Sequence, residues 1–408
     1  MIAENGGVNR AIRDRQKQQE VFMDSHYVKV VPHILDLPDV INDSQEVLFA
    51  VDGPGMLKLD ANEATIPPSP VVTKSISEFI RSRGLNTEAD KSSRRLRRML
   101  SRYAGVGCDD IGCFSSKSAA LDALARTYLK SDLEALVVWP EDGEFSRCAA
   151  ATGAVVKKTE MIDIYAPTVE QIVAQIGPKT RLLFFGNPHC PTGAVLNLAE
   201  IVFLLSYAEN TMVVVDESYF EFCGLSAAEL IKRFPNVTII RSFSSAFGLA
   251  GIGLSYVLTD NHNLKFVNRA ITGAAPDSLA QVAAEAALND ISYMADYVRQ
   301  VNRSKRALFE NLGRMGYDFR ITAANFCLLK SPNSDALLRA LAKNNIYVKS
   351  LGEIPELRGQ LRLTIGTPSQ TEAVLEVLGR LSVDHAGNLG RRPGATIPKI
   401  HLPEEVNA

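Results

Sequence analysis

The stretch IIRSFSSAFGLAGIGLSY (residues 239–256) joins an apolar run to a turn rich in serine and glycine. Such a run predicts a buried strand, and the glycines that follow permit a tight turn of the chain. Further apolar runs precede it, and helix-period segments such as residues 119–130 and 198–208 separate them. This alternation predicts an α/β domain in which helices cover both faces of a mostly parallel sheet. The runs are LEALVVW (133–139), RLLFFG (181–186), NTMVVVD (210–216) and VTIIRSF (237–243).

The composition indicates a globular protein that binds a small molecule. The chain has 408 residues, of which 46% are hydrophobic, so it can bury a substantial core. Its 44 Lys and Arg residues nearly balance 46 Asp and Glu residues, so we expect neither nucleic acid nor a membrane as partner. The first twenty residues lack the apolar segment of a signal peptide, and no run is long enough to cross a bilayer. We therefore expect a cytoplasmic protein.

The six cysteines are scattered without a CxxC pair, which favours reduced thiols over disulfides or a zinc site. His189 and Cys190 are adjacent, but neighbouring side chains of an extended chain point in opposite directions and rarely bind one ion. We therefore predict no structural metal.

Four regions are predicted along the chain. They are an N-terminal arm with a helix over residues 8–22 (1–56), a large α/β domain (57–275), a small α+β C-terminal domain (276–383) and an irregular tail (384–408). The small domain is predicted to open with one long helix, to alternate short strands with a further helix, and to end with a helix that starts at a capping box. These segments are residues 278–313, NFCLLK (325–330), 334–343, IYVKSL (346–351), LRLTIG (361–366) and the cap Thr367-Pro368-Ser369-Gln370.

Ligands of such sheets bind beyond the carboxyl ends of the strands, so the residues that end each run are the candidates for a site. Five motifs, in this order, resemble the pyridoxal phosphate-dependent fold-type I aminotransferases, with the histidinol-phosphate aminotransferases as the most similar group. The resemblance covers roughly residues 57–382. The motifs are LDANEA (59–64), NPHCPTG (187–193), VVDESYFEF (214–222), RSFSSAFGLAGIGLSY (241–256) and LRLTIGTP (361–368).

The resemblance implies a three-layer sandwich with a mixed, mostly parallel seven-stranded sheet and a smaller α+β C-terminal domain. It also implies a homodimer with the active site at the subunit interface. Asp216 would pair with the protonated pyridine nitrogen of the cofactor, Tyr219 would reach the ring hydroxyl, and Phe145 would stack on the ring. Arg362 would bind the anionic group of the substrate. The alternatives are a turn aspartate, a core phenylalanine and an exposed strand arginine.

The resemblance implies further pocket positions. Asn62 and Asn325 would lie with Arg362 on the substrate side. The other positions assigned to the pocket are Ser116, Lys117, Ser118, Asn187, Cys190, Ser244 and Ser245.

Several of these positions depart from the family pattern. Ser245 stands where the family has its Schiff-base lysine, Gly253 where it has an arginine on the cofactor phosphate, and Cys190 where it has an asparagine. Residues 85–93 also lack the tyrosine that would reach the phosphate from the other subunit. A hydroxyl cannot form an imine, so ordinary lysine-dependent transamination is not expected. Losing two or three charged contacts of about 1.5 to 3 kcal/mol each also weakens phosphate binding by roughly three orders of magnitude.

Lys117 is a compensating possibility, because a lysine at a helix start could replace the missing arginine at an anion, but it could equally be a solvated surface residue. We expect no covalent cofactor, with pyridoxal or pyridoxamine phosphate held only non-covalently if at all.

The sequence assigns no catalytic residue. Ser245, Cys190 and Lys117 are the candidates for new chemistry. The favoured interpretation is a degenerate relative of histidinol-phosphate aminotransferase with a pocket repurposed for a small anionic, amino-acid-like metabolite. The alternatives are a catalytically silent pseudoenzyme that binds a metabolite or a partner, and an enzyme that holds its B6 cofactor without a covalent bond.

Overall fold

Two β-sheets organise the chain in a computed structural model that describes residues 30–35, 37, 55–83, 85–270, 273 and 275–384. The predicted helix over residues 8–22 lies outside the described residues, as does the predicted tail beyond residue 384. The strands are β1 (Leu57–Leu59), β2 (Ile111–Phe114), β3 (Glu134–Val137), β4 (Val155–Lys158), β5 (Thr180–Gly186), β6 (Met212–Asp216), β7 (Val237–Ser242), β8 (Ser255–Thr259), β9 (Asp318–Arg320), β10 (Phe326–Lys330), β11 (Ile346–Ser350) and β12 (Gln360–Thr364).

Helices precede, separate and follow these strands. They are α1 (Pro32–Leu35), α2 (Pro70–Arg83), α3 (Arg94–Ala104), α4 (Lys117–Tyr128), α5 (Glu144–Ala150), α6 (Val169–Val173), α7 (Leu198–Tyr207), α8 (Phe220–Cys223), α9 (Asn261–Ala270), α10 (Ser278–Asn289), α11 (Ile291–Met315), α12 (Ser334–Lys343) and α13 (Pro368–Asp384). None of the helices in the described part of the chain has the length and apolarity that a membrane span requires.

The larger sheet has seven strands in the order β2-β8-β7-β6-β5-β3-β4. Strands β4, β3, β5, β6 and β7 run parallel, whereas β8 is antiparallel to both of its neighbours, β7 and β2. This confirms the predicted fold class, a mixed α/β fold with a mostly parallel seven-stranded sheet. Every residue of β6, β7 and β8 is buried, as expected for strands covered on both faces.

The smaller sheet has five strands in the order β1-β11-β12-β10-β9. Strand β1 lies parallel to β11, and the Leu57 amide also donates to the Asn345 carbonyl at 2.8 Å. The sequence boundary at residue 57 grouped this strand with the large domain, whereas its pairing ties it to the strands of the C-terminal region. The pairing also brings the LDANEA motif next to β12, which carries Arg362.

The long helix predicted over residues 278–313 is two helices, α10 and α11, which separate at Asp290. Asp290 has φ −125° and ψ 51°, outside the helical region, and its carboxylate accepts hydrogen bonds from Ser69 and Ser292. The helical periodicity of the sequence continues through the break, so the pattern alone did not reveal it.

The last helix, α13, begins at the predicted cap, but the capping box is only half formed. The Gln370 side chain accepts from the Thr367 amide at 2.9 Å, as a capping box requires. The Thr367 hydroxyl instead lies 3.2 Å from the Ser369 hydroxyl.

Candidate functional site

The candidate site lies at the carboxyl ends of the parallel strands, where the sequence placed it. Strand β6 ends at Asp216, β7 leads into Ser244 and Ser245, and β2 leads into the start of α4 at Lys117. Strand β12 of the smaller sheet supplies Arg362. Two groups of side chains result, a carboxylate cluster around Lys117 and an anion side around Arg362.

The carboxylate cluster consists of Asp142, Glu144 and Asp216, which all face the Lys117 ammonium. Its Nζ lies 2.8 Å from Glu144 Oε2, 3.2 Å from Asp216 Oδ2 and 3.8 Å from Asp142 Oδ2. Burial alone would lower the pKa of Lys117, but Asp216, Asp142 and Glu144 outweigh it and hold the pKa well above its usual value. Lys117 is therefore a fixed cation that pairs with carboxylates, and its predicted role at an anion stays a prediction.

Asp216 is buried with partners on both carboxylate oxygens. Oδ2 accepts from Lys117, and Oδ1 accepts from the Ser218 amide at 2.9 Å and from the Ser218 hydroxyl. These contacts explain how a carboxylate can follow directly after an apolar strand, since a buried charge is costly unless it is paired and hydrogen bonded.

The anion side consists of Arg362 and four neighbouring residues, Asp60, Asn62, Cys190 and Tyr219. The guanidinium donates from Nη2 to the Asp60 carbonyl at 2.7 Å, and Nη1 lies 3.4 Å from Cys190 Sγ. Its Nε is buried without a hydrogen-bond partner among the described residues. Asn62 Nδ2 donates to the Tyr219 hydroxyl at 3.0 Å and lies 4.0 Å from Cys190 Sγ. Arg362 therefore has a free donor within a buried polar setting, which suits it to bind an anion.

Asn325 binds the backbone of Asn62, which belongs to the anion side. Its Nδ2 donates to the Asn62 carbonyl at 3.0 Å, and Asn62 in turn has φ 57°. A left-handed backbone is uncommon for residues other than glycine, and asparagine tolerates it best. Asn325 is thus bonded to the backbone of Asn62, and Asn62 is bonded through its side chain to Tyr219.

The carboxylate cluster and the anion side belong to one site, because Lys117 and Arg362 both shift the pKa of Cys190 and of Asp142. Burial raises the pKa of the Cys190 thiol, while both Arg362 and Lys117 oppose that rise. Burial would also raise the pKa of Asp142, but Lys117 chiefly, and Arg362 to a smaller degree, hold it below its usual value. Cys190 is consequently a protonated thiol between the two cations, and a protonated thiol is a poor nucleophile.

Phe145 does not face the site, so the prediction that it stacks on a ligand ring is wrong. It is fully buried on α5 and stacks on Phe184, with ring centroids 4.6 Å apart and planes at 9°. The residues that do reach the site from this segment are Asp142 and Glu144, which the sequence reasoning missed. The acidic run PEDGE (140–144) at a strand end was the signal that could have found them.

Asn187 and His189 hold the loop after β5 rather than line the site. Asn187 bonds through both side-chain atoms to the Leu196 backbone, at 2.8 and 3.0 Å. His189 lies 2.9 Å from the Thr192 hydroxyl and 3.1 Å from the Val138 carbonyl, and burial lowers its pKa. The neutral imidazole therefore points away from Cys190 and cannot activate it.

Three of the four candidate serines already have hydrogen-bond partners. Ser116 caps α4 by accepting from the Ala119 amide at 3.0 Å, so that helix begins at Lys117. Ser118 donates to Glu144, and the Ser244 hydroxyl lies 2.9 Å from that of Ser242. Ser245 is buried, and its hydroxyl makes no hydrogen bond to the residues that the structure describes. A serine without a base beside it is a weak nucleophile.

Comparison with known proteins identifies the class of protein that this fold and site define. The sequence profile of the family aminotransferase class I and II matches residues 54–378. The chain therefore belongs to the class I and II aminotransferase family.

Two relatives match most of their own length. A dihydroxyacetone phosphate transaminase of Campylobacter jejuni is 28% identical over 365 residues, which cover 88% of this chain and 97% of that protein. Histidinol-phosphate aminotransferase 2 of Carboxydothermus hydrogenoformans is 29% identical over 335 residues, which cover 79% and 91% of the two chains.

A solved structure supports the same fold. The histidinol-phosphate aminotransferase of Sinorhizobium meliloti, crystallised with pyridoxal-5'-phosphate, superposes with a TM-score of 0.77 at 22% identity. The match covers 88% of this chain and 99% of that one. At this identity the similarity establishes the architecture, whereas the chemistry has to be argued from the site.

Proposed function

We propose that this protein is a divergent histidinol-phosphate-aminotransferase-like protein that does not transaminate through a Schiff-base lysine. Its pocket instead acts on a small anionic, amino-acid-like metabolite that Arg362 binds. The observation that carries the proposal is Ser245, which follows β7 at the position that the family resemblance gives to the lysine. A hydroxyl cannot capture an aldehyde as an imine.

The charge state of Lys117 supports this proposal. The carboxylate cluster holds the Lys117 amine in the site, but the three ion pairs also keep that amine protonated. An amine must be neutral to attack a carbonyl, which is why nucleophilic lysines have a lowered pKa. Lys117 is therefore a poor substitute for the missing lysine.

The residues present also do not fit pyridoxal phosphate in the family's manner. When bound, that cofactor supplies an electron sink, which depends on a carboxylate at the ring nitrogen. Asp216 has both oxygens partnered within the protein, Phe145 is packed in the core, and Gly253 offers no cation to a phosphate. We therefore propose that no covalent cofactor is used and that any B6 cofactor binds weakly and non-covalently.

The ligand class follows from the anion side. Arg362 has a buried Nε without a hydrogen-bond partner among the described residues, its Nη1 lies near Cys190 Sγ, and Asn62 contacts the same thiol. The two relatives are named for phosphate monoesters, histidinol phosphate and dihydroxyacetone phosphate, which supports a phosphate or carboxylate group on the ligand. Recognition of either group by arginine is a planar, bidentate contact.

A second candidate function is a metabolite-binding protein without turnover. It is favoured by the protonated Cys190 thiol and by the absence of a base at Ser245 within the described part of the chain. Under either candidate we propose a cytoplasmic homodimer with no nucleic-acid or membrane partner. Sedimentation equilibrium would test the dimer, with about twice the 44.5 kDa chain mass expected.

The first experiment is mass spectrometry of small molecules released when the purified protein is denatured. We expect an anion that carries a carboxylate or phosphate group. The Arg362→Ala variant should bind that anion, or inorganic phosphate if none is released, at least about tenfold more weakly, which corresponds to about 1.4 kcal/mol. Arg358→Ala is the matched control, because Arg358 is exposed and lies in the loop before β12.

Two results would contradict the proposal. One is an affinity for the anion that Arg362→Ala leaves unchanged. The other is an absorbance band between about 320 and 430 nm that survives dialysis of the wild-type protein, since such a band would show a firmly held B6 cofactor.

A further inference from the structure

We propose that Lys117 is a specificity-determining residue: its ammonium takes the place at Asp216 that a cationic aromatic ring would need, so the pocket rejects pyridinium ligands. This inference deepens the proposed function and rests on it. It assigns to the site anionic ligands without a cationic ring, held at Arg362.

The position of Lys117 is fixed at both ends. Its backbone starts α4, where Ser116 provides the N-cap. Its Nζ is held by Glu144 at 2.8 Å and by Asp216 at 3.2 Å, and Glu144 is itself held by the Ser118 hydroxyl. The ammonium is therefore anchored by two carboxylates from different elements, α5 and β6, and does not depend on a single surface ion pair.

The ion pair between Lys117 and Asp216 prevents a ligand from reaching the Asp216 carboxylate. The Asp216 side chain is only 10% exposed. Lys117 donates a hydrogen bond to its Oδ2, and the Ser218 amide donates one to its Oδ1. A ring nitrogen would have to reach the same buried carboxylate within hydrogen-bond distance. Lys117 would first have to give up its ion pair with Asp216, and breaking a largely buried ion pair is unfavourable.

Hydrogen bonding also favours Lys117 over an incoming ring. Asp142, Glu144 and Asp216 all pair with the same ammonium, and they hold it in its charged form. A pyridinium that displaced it would replace three donor N–H groups by one, so fewer of the carboxylate oxygens would keep a partner. An anion at Arg362 avoids this loss because it leaves the cluster intact.

The test uses pyridoxamine phosphate as the probe, with binding measured by equilibrium dialysis. We expect Lys117→Ala to bind it at least about tenfold more tightly than the wild-type protein, because Asp216 is then free. Lys117→Arg, which keeps the cation, should bind it like the wild type. The gain should disappear when Asp216→Asn is added to Lys117→Ala. Wild-type affinity equal to that of Lys117→Ala, or a gain that survives Asp216→Asn, would overturn the inference.

A second measurement needs no variant, in case the loss of Lys117 prevents folding. The wild-type protein is titrated with pyridoxamine phosphate and with its 1-deaza analogue, in which C–H replaces the ring nitrogen. If Lys117 blocks Asp216, the two dissociation constants agree within about twofold, or neither compound binds measurably. A preference of about tenfold or more for the compound with the nitrogen would overturn the inference.

These outcomes separate the inference from the proposed function. A preference for the ring nitrogen, with the Arg362→Ala loss intact, would remove the role of Lys117 alone. Anion binding that ignores Arg362→Ala, with no preference for the ring nitrogen, would remove the proposed ligand mode and leave the role of Lys117 in place.

Discussion

Gly253 occupies a backbone position that favours glycine. Its φ is +64°, and a Cβ there would lie 3.0 Å from the Ser115 carbonyl oxygen. The loop has therefore adapted to the glycine, and the arginine that the family resemblance places here cannot simply be restored. We expect Gly253→Arg to lower the free energy of unfolding by about 1 to 3 kcal/mol.

Urea unfolding followed by circular dichroism measures this effect. Gly251→Arg is the matched control, since it adds the same charge to the same loop at a position with no heavy atom within 4 Å of the added Cβ. Equal midpoints for the two variants would show that the strain at Gly253 is negligible.

Ser245→Lys tests whether an amine at this position is enough to restore amino transfer. The substitution restores an amine, but Gly253, Cys190 and the Lys117–Asp216 ion pair still leave the cofactor poorly held. We therefore expect no amino transfer above the wild-type level in single-turnover spectra with pyridoxal phosphate and an amino donor. Ser244→Lys, which places the amine one residue away, is the control. Measurable turnover in Ser245→Lys alone would show that the missing phosphate contacts were overvalued.

At the scale of the element, α11 carries a buried lysine that the sequence did not single out. Lys305 is fully buried, and its Nζ donates to the Ala323 carbonyl at 3.2 Å and lies 6.0 Å from the ring centre of Phe222. Burial lowers the pKa of Lys305 to about 7, and the thiols of Cys223 and Cys327 partly oppose this lowering. The helix therefore holds an amine that is close to neutral near physiological pH.

The sign of the resulting pH dependence follows from linkage. The unfolded chain protonates Lys305 below about pH 10.4, whereas the folded chain does so only below about pH 7. The unfolded state thus binds more protons between these values, and the contribution of Lys305 to stability rises with pH. We expect roughly 3 kcal/mol of this gain between pH 7 and pH 10, and expect Lys305→Met to remove it.

Urea titrations of both proteins at pH 7 and pH 10 measure that difference. Lys343→Met is a suitable control, because Lys343 is an exposed lysine at the end of α12. If the Lys305→Met and wild-type stabilities changed in parallel between the two pH values, the buried-amine interpretation would be wrong.

Elements differ in how far the sequence predicted them. The helix at Ser334–Lys343 begins and ends where the pattern placed it, because Asn333 caps it and a turn follows. The break at Asp290 was missed, since it depends on a hydrogen bond from Ser69, which is 221 residues away in the chain. Local patterns contain no information on such distant partners.

At the scale of the whole molecule, the sequence predicted the sheet and the family because both depend on the order of strands and motifs. It also predicted that Lys117 and Asp216 lie near each other, since parallel strands end at one edge. The direction of individual side chains was less predictable. Phe145 turned into the core and Lys117 turned toward Asp216, and both outcomes depend on packing between elements that are distant in the chain.

The central claim is that no amine of this pocket captures the B6 aldehyde, and reductive trapping tests it most directly. The purified protein is incubated with one equivalent of pyridoxal phosphate, reduced with borohydride and digested, and the peptides are mapped by mass spectrometry. We expect no stoichiometric pyridoxyl adduct on the peptides that contain Lys117 or Ser245. Carboxylates hold the Lys117 amine in its protonated form, and Ser245 has no amine. A near-stoichiometric pyridoxyl group on Lys117 would contradict the account.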